Sequence, residues 1–198
     1  MAALIRLATE RDADTVHAIY APVVLESATS FELEPPTVDE MRGRIAKTLE
    51  RFPWIVCDRD GRVLGYAYAS PHRDRAAYQW SVEVSVYIDG IARRSGVGRA
   101  LYTSLFALLR VQGFHNAYAG VALPNPASVA MHESVGFRSV GVYRRVGHKM
   151  GAWHDVGWWS LAIGDHPGSP SPPLPIAEAL RRSEWDAAMR AGEHLLRV

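Results

Sequence analysis

The stretch Gln79-Trp80-Ser81-Val82-Glu83-Val84-Ser85-Val86-Tyr87-Ile88-Asp89-Gly90-Ile91-Ala92-Arg93-Arg94-Ser95-Gly96-Val97-Gly98-Arg99 changes its periodicity twice, and those changes decide the fold. From Gln79 to Ile88 the residues alternate. Val82, Val84, Val86 and Ile88 share one face, while Glu83, Ser85 and Tyr87 share the other, as in a half-buried strand. Asp89 to Gly98 reads as a loop, and from about Arg99 to Gln112 apolar residues recur at helical spacing until Gly113 stops them. Gly96 and Gly98 let backbone N–H groups turn inward as an anion-binding nest. The helix N-terminus adds positive dipole character, and Arg93, Arg94 and Arg99 add full charges. The loop is equipped for a pyrophosphate, and a plain glycine turn with solvated arginines fits the same residues. It is not a Walker A loop, since Gly-x-x-x-x-Gly-Lys-Ser/Thr is missing, nor a dinucleotide fingerprint, because position 101 is leucine.

Upstream, Leu4–Leu7 reads as a short strand, and Thr9 caps a helix from about Glu10 to Val24 that Pro22 bends or ends early. Thr37 and Glu40 form a capping box for a second helix reaching about Arg51. Trp54–Cys57 and Val63–Ala69 flank Asp60-Gly61, a hairpin signal. Downstream, a strand near 117–123, a helix near 127–135 closed by Gly136, and strands near 138–145 and 156–163 follow. Helices that interleave with strands around one sheet give an α/β or α+β class. Residues 165–175 carry five prolines with serine and glycine and read as a linker; 176–198 read as a helical appendage, helical over 176–197.

The chain has 198 residues, 48% of them hydrophobic and 22% charged, the balance of a globular protein. A net charge of +1 gives no basic excess for nucleic acid. The N-terminus lacks a signal peptide's apolar region, and no run is long enough to span a membrane, so the expected location is cytoplasmic. Cys57 is the sole cysteine, which excludes an intramolecular disulfide, and no histidine spacing points to a metal.

Arg93-Arg94-Ser95-Gly96-Val97-Gly98 resembles the Arg/Gln-x-x-Gly-x-Gly/Ala signature of the GNAT acetyltransferases. A closer resemblance is to the subgroup that acetylates phosphinothricin and methionine sulfoximine. It rests on Thr29–Glu32, Trp80–Glu83, Ser85–Tyr87, Pro124-Asn125, Ser128, His132-Glu133, Gly136-Phe137 and Gly147–Gly157. The resemblance covers residues 4–163 and implies a GNAT domain over 1–164. Its expected fold is a central mixed, mostly antiparallel sheet, splayed in the middle, with helices on both faces.

It further implies that acetyl-CoA is the co-substrate and a small-molecule amine the acceptor, with a homodimer as the family default. The expected function is transfer to the amino group of phosphinothricin, methionine sulfoximine or methionine sulfone, a resistance activity, by direct attack in a ternary complex. Only a neutral amine attacks a thioester, so a base must take the ammonium proton; the family assigns that task to the position of Glu83. His132, seven residues after Asn125, matches the position of a proton donor to the departing thiolate; an imidazole there could equally help deprotonate the substrate or cap and pack the helix. The resemblance gives the cofactor the backbone of Val86, Tyr87 and Ile88, the loop Arg93, Arg94, Ser95, Gly96, Val97, Gly98 and Arg99, and the side chains of Asn125 and Ser128. It gives the substrate Arg73 and Arg75, whose guanidinium forks suit carboxylate and phosphinate, with Phe31 and Lys149 nearby. The alternatives are another amine (a polyamine, an aminoglycoside or a protein N-terminus), a non-catalytic acyl-CoA-binding module, or an interaction protein working through the 176–197 helix. Every motif precedes Gly164, so 165–198 are expected to be dispensable for chemistry.

Overall fold

The computed structural model describes residues 3–198; Met1 and Ala2, with which the expected domain and the leader reading begin, lie outside the described residues. Seven strands form one sheet: β1 (Leu4–Leu7), β2 (Trp54–Arg59), β3 (Arg62–Pro71), β4 (Ser81–Ile88), β5 (Asn116–Leu123), β6 (Arg138–Lys149) and β7 (Ala152–Ala162). Their spatial order is β1-β2-β3-β4-β5-β7-β6. All pairings are antiparallel except β4 with β5. That parallel joint holds only Ser81 with Asn116, Val82 with Ala117 and Glu83 with Tyr118, after which the strands part. This is the expected mixed, mostly antiparallel, splayed sheet.

The alternation of β4 sorts two cores onto two faces. Val82 and Val84 join the principal core with α3 (Val97–Gln112). Tyr87 packs on the other side, against the core built with α1 (Ala13–Glu26) and α2 (Val38–Leu49). Thr37 accepts from the Glu40 N–H and the Glu40 carboxylate accepts from the Thr37 N–H, the capping box read in the sequence. Pro22 lies inside α1, which runs on to Glu26, past the expected end. Asp60 and Gly61 both take the left-handed conformation that a two-residue hairpin turn demands. Met150 and Gly151 do the same, making β6 and β7 a longer hairpin than the sequence patterns suggested.

The C-terminal segment departs most from expectation. Residues 165–175 carry no helix or strand but are tied down: Trp80 Nε1–H donates to the Ser171 carbonyl, and Gln112 exchanges bonds with Leu174. The single helix expected over 176–197 is instead α5 (Ile176–Ala179), α6 (Trp185–Arg190) and a 3-10 turn at Glu193–Leu195. Nor is it a peripheral appendage. Ile176, Ala179, Trp185 and Ala188 are buried in the principal core, because α3 is apolar nearly all round and needs cover on the side away from the sheet.

Candidate functional site

Register brings the polar site together. Glu83 of β4 pairs with Ser70 of β3 and with Tyr118 of β5, so all three side chains point the same way. His72 follows Ser70 by two residues and its ring stacks on Tyr118, centroids 4.3 Å apart. His72 Nδ1 lies 3.1 Å from Glu83 Oε1, and Arg73 donates to the same oxygen at 3.0 Å. Arg73 also donates to the His72 carbonyl at 2.7 Å and lies over the Trp158 ring. With the carboxylate ionised, His72 Nδ1 is the donor. Both bonds fall on Oε1, while Oε2 accepts none among the described residues and the Glu83 side chain is 31% exposed. The result is a carboxylate fixed by one oxygen and open at the other, at the last paired position before β4 and β5 separate.

The sequence reading did not single out His72, Tyr118 or Trp158. The register of β3 against β4 against β5 is the signal that unites them, and it depends on long-range pairing that no local pattern specifies.

The expected substrate residues divide. Arg73 belongs to the Glu83 cluster, and Arg75 is exposed at the start of the turn Ala76–Tyr78. Phe31 lies flat on Gly147 of β6, where a Cβ would sit 2.1 Å from its ring, and packs near His154. Lys149 is turned inward. It is 6% exposed, and its ammonium donates to the carbonyls of Val24 and Ser30, capping the C-terminal end of α1. Burial lowers its pKa, and the charge serves those carbonyls.

The glycine loop leads into α3 as expected, with a refinement. Arg94 and Gly96 are both left-handed, at φ of 64° and 88°, which turns successive N–H groups toward one concave side. Arg93, Arg94 and Arg99 are exposed around it. Ser95 Oγ–H donates to the Ala92 carbonyl, and Val97 is buried. The conformational demand falls on Gly96 and not on Gly98, where a Cβ would meet nothing closer than 3.8 Å. Val86, Tyr87 and Ile88 pair with β3 along one edge, and β5 has parted from the other. The open edge and the nest fit an extended amide chain ending in a pyrophosphate, the chemistry of a CoA arm.

Asn125 caps α4 (Pro126–Ser134), its side-chain oxygen accepting from the Ser128 N–H at 3.1 Å. His132, one helical turn on, is 5% exposed. Its Nδ1 lies 2.8 Å from the Ser128 carbonyl, which only accepts, so Nδ1 carries the proton. Nε2 therefore accepts from the Tyr102 hydroxyl at 3.0 Å. Phe137 closes the ring edge-on. Burial lowers the His132 pKa, partly offset by the Ser128 bond, and burial raises that of Tyr102. Both ring nitrogens are committed inside the protein, to the Ser128 carbonyl and the Tyr102 hydroxyl, which favours the structural alternative for His132. Among the described residues no group of three His, Cys, Asp or Glu side chains could hold a metal ion, and no helix is long and apolar enough to cross a membrane.

Residues 5–158 match the acetyltransferase (GNAT) domain family. The chain is 38% identical over 174 residues to the phosphinothricin N-acetyltransferase of Streptomyces viridochromogenes, covering 88% of this chain and 94% of that one. It is 31% identical over 163 residues to the L-methionine sulfoximine/L-methionine sulfone acetyltransferase of Salmonella typhimurium, covering 82% and 95%. The crystal structure of a phosphinothricin acetyltransferase from Sinorhizobium meliloti, in complex with AcCoA, superposes with a TM-score of 0.81 at 32% identity. That match covers 89% of this chain and 99% of that one.

Proposed function

The chain belongs to the GNAT acetyltransferase family, and from that premise we propose that it acetylates the amino group of a small amino-acid analogue of the phosphinothricin, methionine sulfoximine or methionine sulfone type. It is an N-acetyltransferase that uses acetyl-CoA. Acetyl-CoA supplies the acetyl group as an activated thioester. The residues that would hold it are the open edge Val86–Ile88, the loop Arg93–Arg99, and Asn125 with Ser128.

One observation carries the mechanism: Glu83 is anchored through Oε1 and open at Oε2. Oε2 takes the proton from the substrate ammonium, directly or through one water. Arg73, with Arg75, grips the substrate's anionic groups, so the guanidinium that recognises the substrate also holds the base. His72 keeps the carboxylate in register through its stack on Tyr118. His132 acts as a positioning residue that ties α4 to α3 through Tyr102. The transfer is direct. Cys57 is fully buried and burial pushes its thiol up to about 11, so it stays protonated and carries no acetyl group.

Val140, Val142, Tyr143 and Val146 of the outermost strand and Trp153 of its hairpin are exposed, which supports a homodimer that covers this outer hairpin. We place the activity in the cytoplasm and read its use as resistance to such analogues.

The deciding experiment follows thiol release from acetyl-CoA with phosphinothricin, methionine sulfoximine, methionine sulfone, spermidine and an aminoglycoside. The amino-acid analogues should exceed the cationic amines in kcat/KM by about tenfold or more, the discrimination of one charge-assisted bond. Equal or greater efficiency with spermidine or the aminoglycoside would overturn the substrate class.

A further inference from the structure

The last residues of the chain lie against the loop that begins α3. The Arg197 N–H donates to the Ser95 carbonyl at 2.9 Å. A Cβ on Gly96 would sit 2.1 Å from the Leu195 carbonyl oxygen, so this loop glycine is needed for the contact as well as for its φ. One turn into α3 the arrangement is reciprocal. A Cβ on Gly192 would sit 1.9 Å from the Ala100 carbonyl oxygen, and the Gly192 N–H donates to the buried Ser104 hydroxyl at 3.0 Å. Glu193 accepts from the Ile5 N–H, fixing the same segment to the first strand. Two glycines, one on each side, permit backbone-to-backbone contact along the first turn of α3. The 3-10 turn between them is set by this docking, and Trp185 and Ala188 anchor what precedes it in the core.

We propose that residues Gly192–Arg197 are a positioning element of the acetyl-CoA site, a strap that holds the Arg94–Gly98 nest in its binding conformation from behind. The inference rests on the reading of Arg93–Arg99 as the pyrophosphate loop. A nest with two left-handed residues in three is not a conformation that Arg94 adopts freely, and an isolated loop would populate others. The strap fixes Ser95 and Gly96 between those residues and the helix. Its loss would lower the fraction of protein competent for the cofactor, and apparent affinity falls in proportion to that fraction. The strap touches no group of the Glu83 cluster, so turnover at saturating cofactor should be spared.

The test is the Kd of acetyl-CoA by calorimetry, which needs no amine substrate, on the full chain and on a chain ending at Gly192. The truncated chain should bind about tenfold more weakly, with kcat at saturating acetyl-CoA within about twofold of the full chain. Arg197→Pro removes the N–H donor without shortening the chain, after a Leu196 already extended as a residue before proline must be, and should show part of the loss. Arg197→Ala keeps the N–H and is its reference. Arg94→Ala reports on the loop itself. If Arg94→Ala weakens binding and the truncation and Arg197→Pro do not, the strap is overturned and the loop reading stands. If none of them weakens binding, the loop reading fails as well. A loss in Arg197→Ala as large as in Arg197→Pro would also overturn the proposal, because the side-chain charge and not the backbone would then be at work.

Discussion

Glu83 and His132 both match motif positions for proton transfer, and they sit on opposite faces of the sheet in opposite conditions. Glu83 is half-exposed at the seam between β4 and β5, with two donors on one oxygen and the other open. His132 is sealed among Tyr102, Phe137 and the first turn of α4, with both nitrogens satisfied. A group that is to exchange protons with a ligand needs an unfilled valence facing it. A group whose hydrogen bonds are all internal is holding two elements together. The difference lies in the surroundings of the two side chains and not in their residue types.

Glu83→Gln is the strongest test of that contrast. It keeps the shape and one acceptor but cannot take a proton, so kcat should fall by about two to four orders of magnitude with acetyl-CoA affinity little changed. The deficit should shrink at high pH, where free amine is abundant. Near-normal turnover at pH 7 would remove Glu83 from the mechanism.

Next in size is Arg73→Ala. A charge-assisted bond contributes about 1.5–3 kcal/mol, so substrate KM should rise roughly ten- to a hundred-fold. Arg73→Lys should recover only part, since an ammonium cannot make the bidentate fork. An unchanged KM would mean that Arg73 serves Glu83 alone.

His132→Ala should act on stability more than on chemistry, costing about 1–3 kcal/mol by leaving the buried Tyr102 hydroxyl unpartnered. Its pH signature has a definite sign. The folded imidazole titrates below its ordinary value of 6.5, so its contribution is complete above that pH and is lost as pH falls through the lowered folded value. Tm of the wild type should therefore drop more steeply on acidification below 6.5 than Tm of the variant. A kcat loss in His132→Ala matching that of Glu83→Gln, with Tm unchanged, would restore His132 to the chemistry. The smallest effect is expected from His72→Phe, which keeps the stack on Tyr118 and removes the donor. A several-fold loss in kcat with little change in Tm would mark it as a residue that aims the carboxylate.

Much of this was legible in the chain. The alternation from Gln79 to Ile88 gave β4 its two faces, and Gly113 marked the end of α3, because strand and helix periods and glycine turns are local properties. The Thr37–Glu40 box was legible for the same reason. Not legible were contacts made by register and by remote docking. His72 meets Glu83 only because β3 pairs with β4 at Ser70, and Lys149 meets Val24 and Ser30 across 125 and 119 residues. The tail, too, leaves a trace in the sequence. Leu101, Leu105 and Leu108 suffice for one buried face of α3, yet Tyr102, Ser104, Phe106 and Gln112 are buried too. A helix buried over so wide an arc requires a second cover, and residues beyond Gly164 provide part of it.

The three-residue joint between β4 and β5 also has a kinetic meaning. Toward β5, amides of residues 84–88 have no ladder partner, although the strand lies in the middle of a seven-stranded sheet. Hydrogen–deuterium exchange should therefore find fast amides there, flanked on the same strand by slow ones that face β3. A molecule whose own amides lie along that edge would complete the interrupted ladder, and protection would then appear at the centre of the fold.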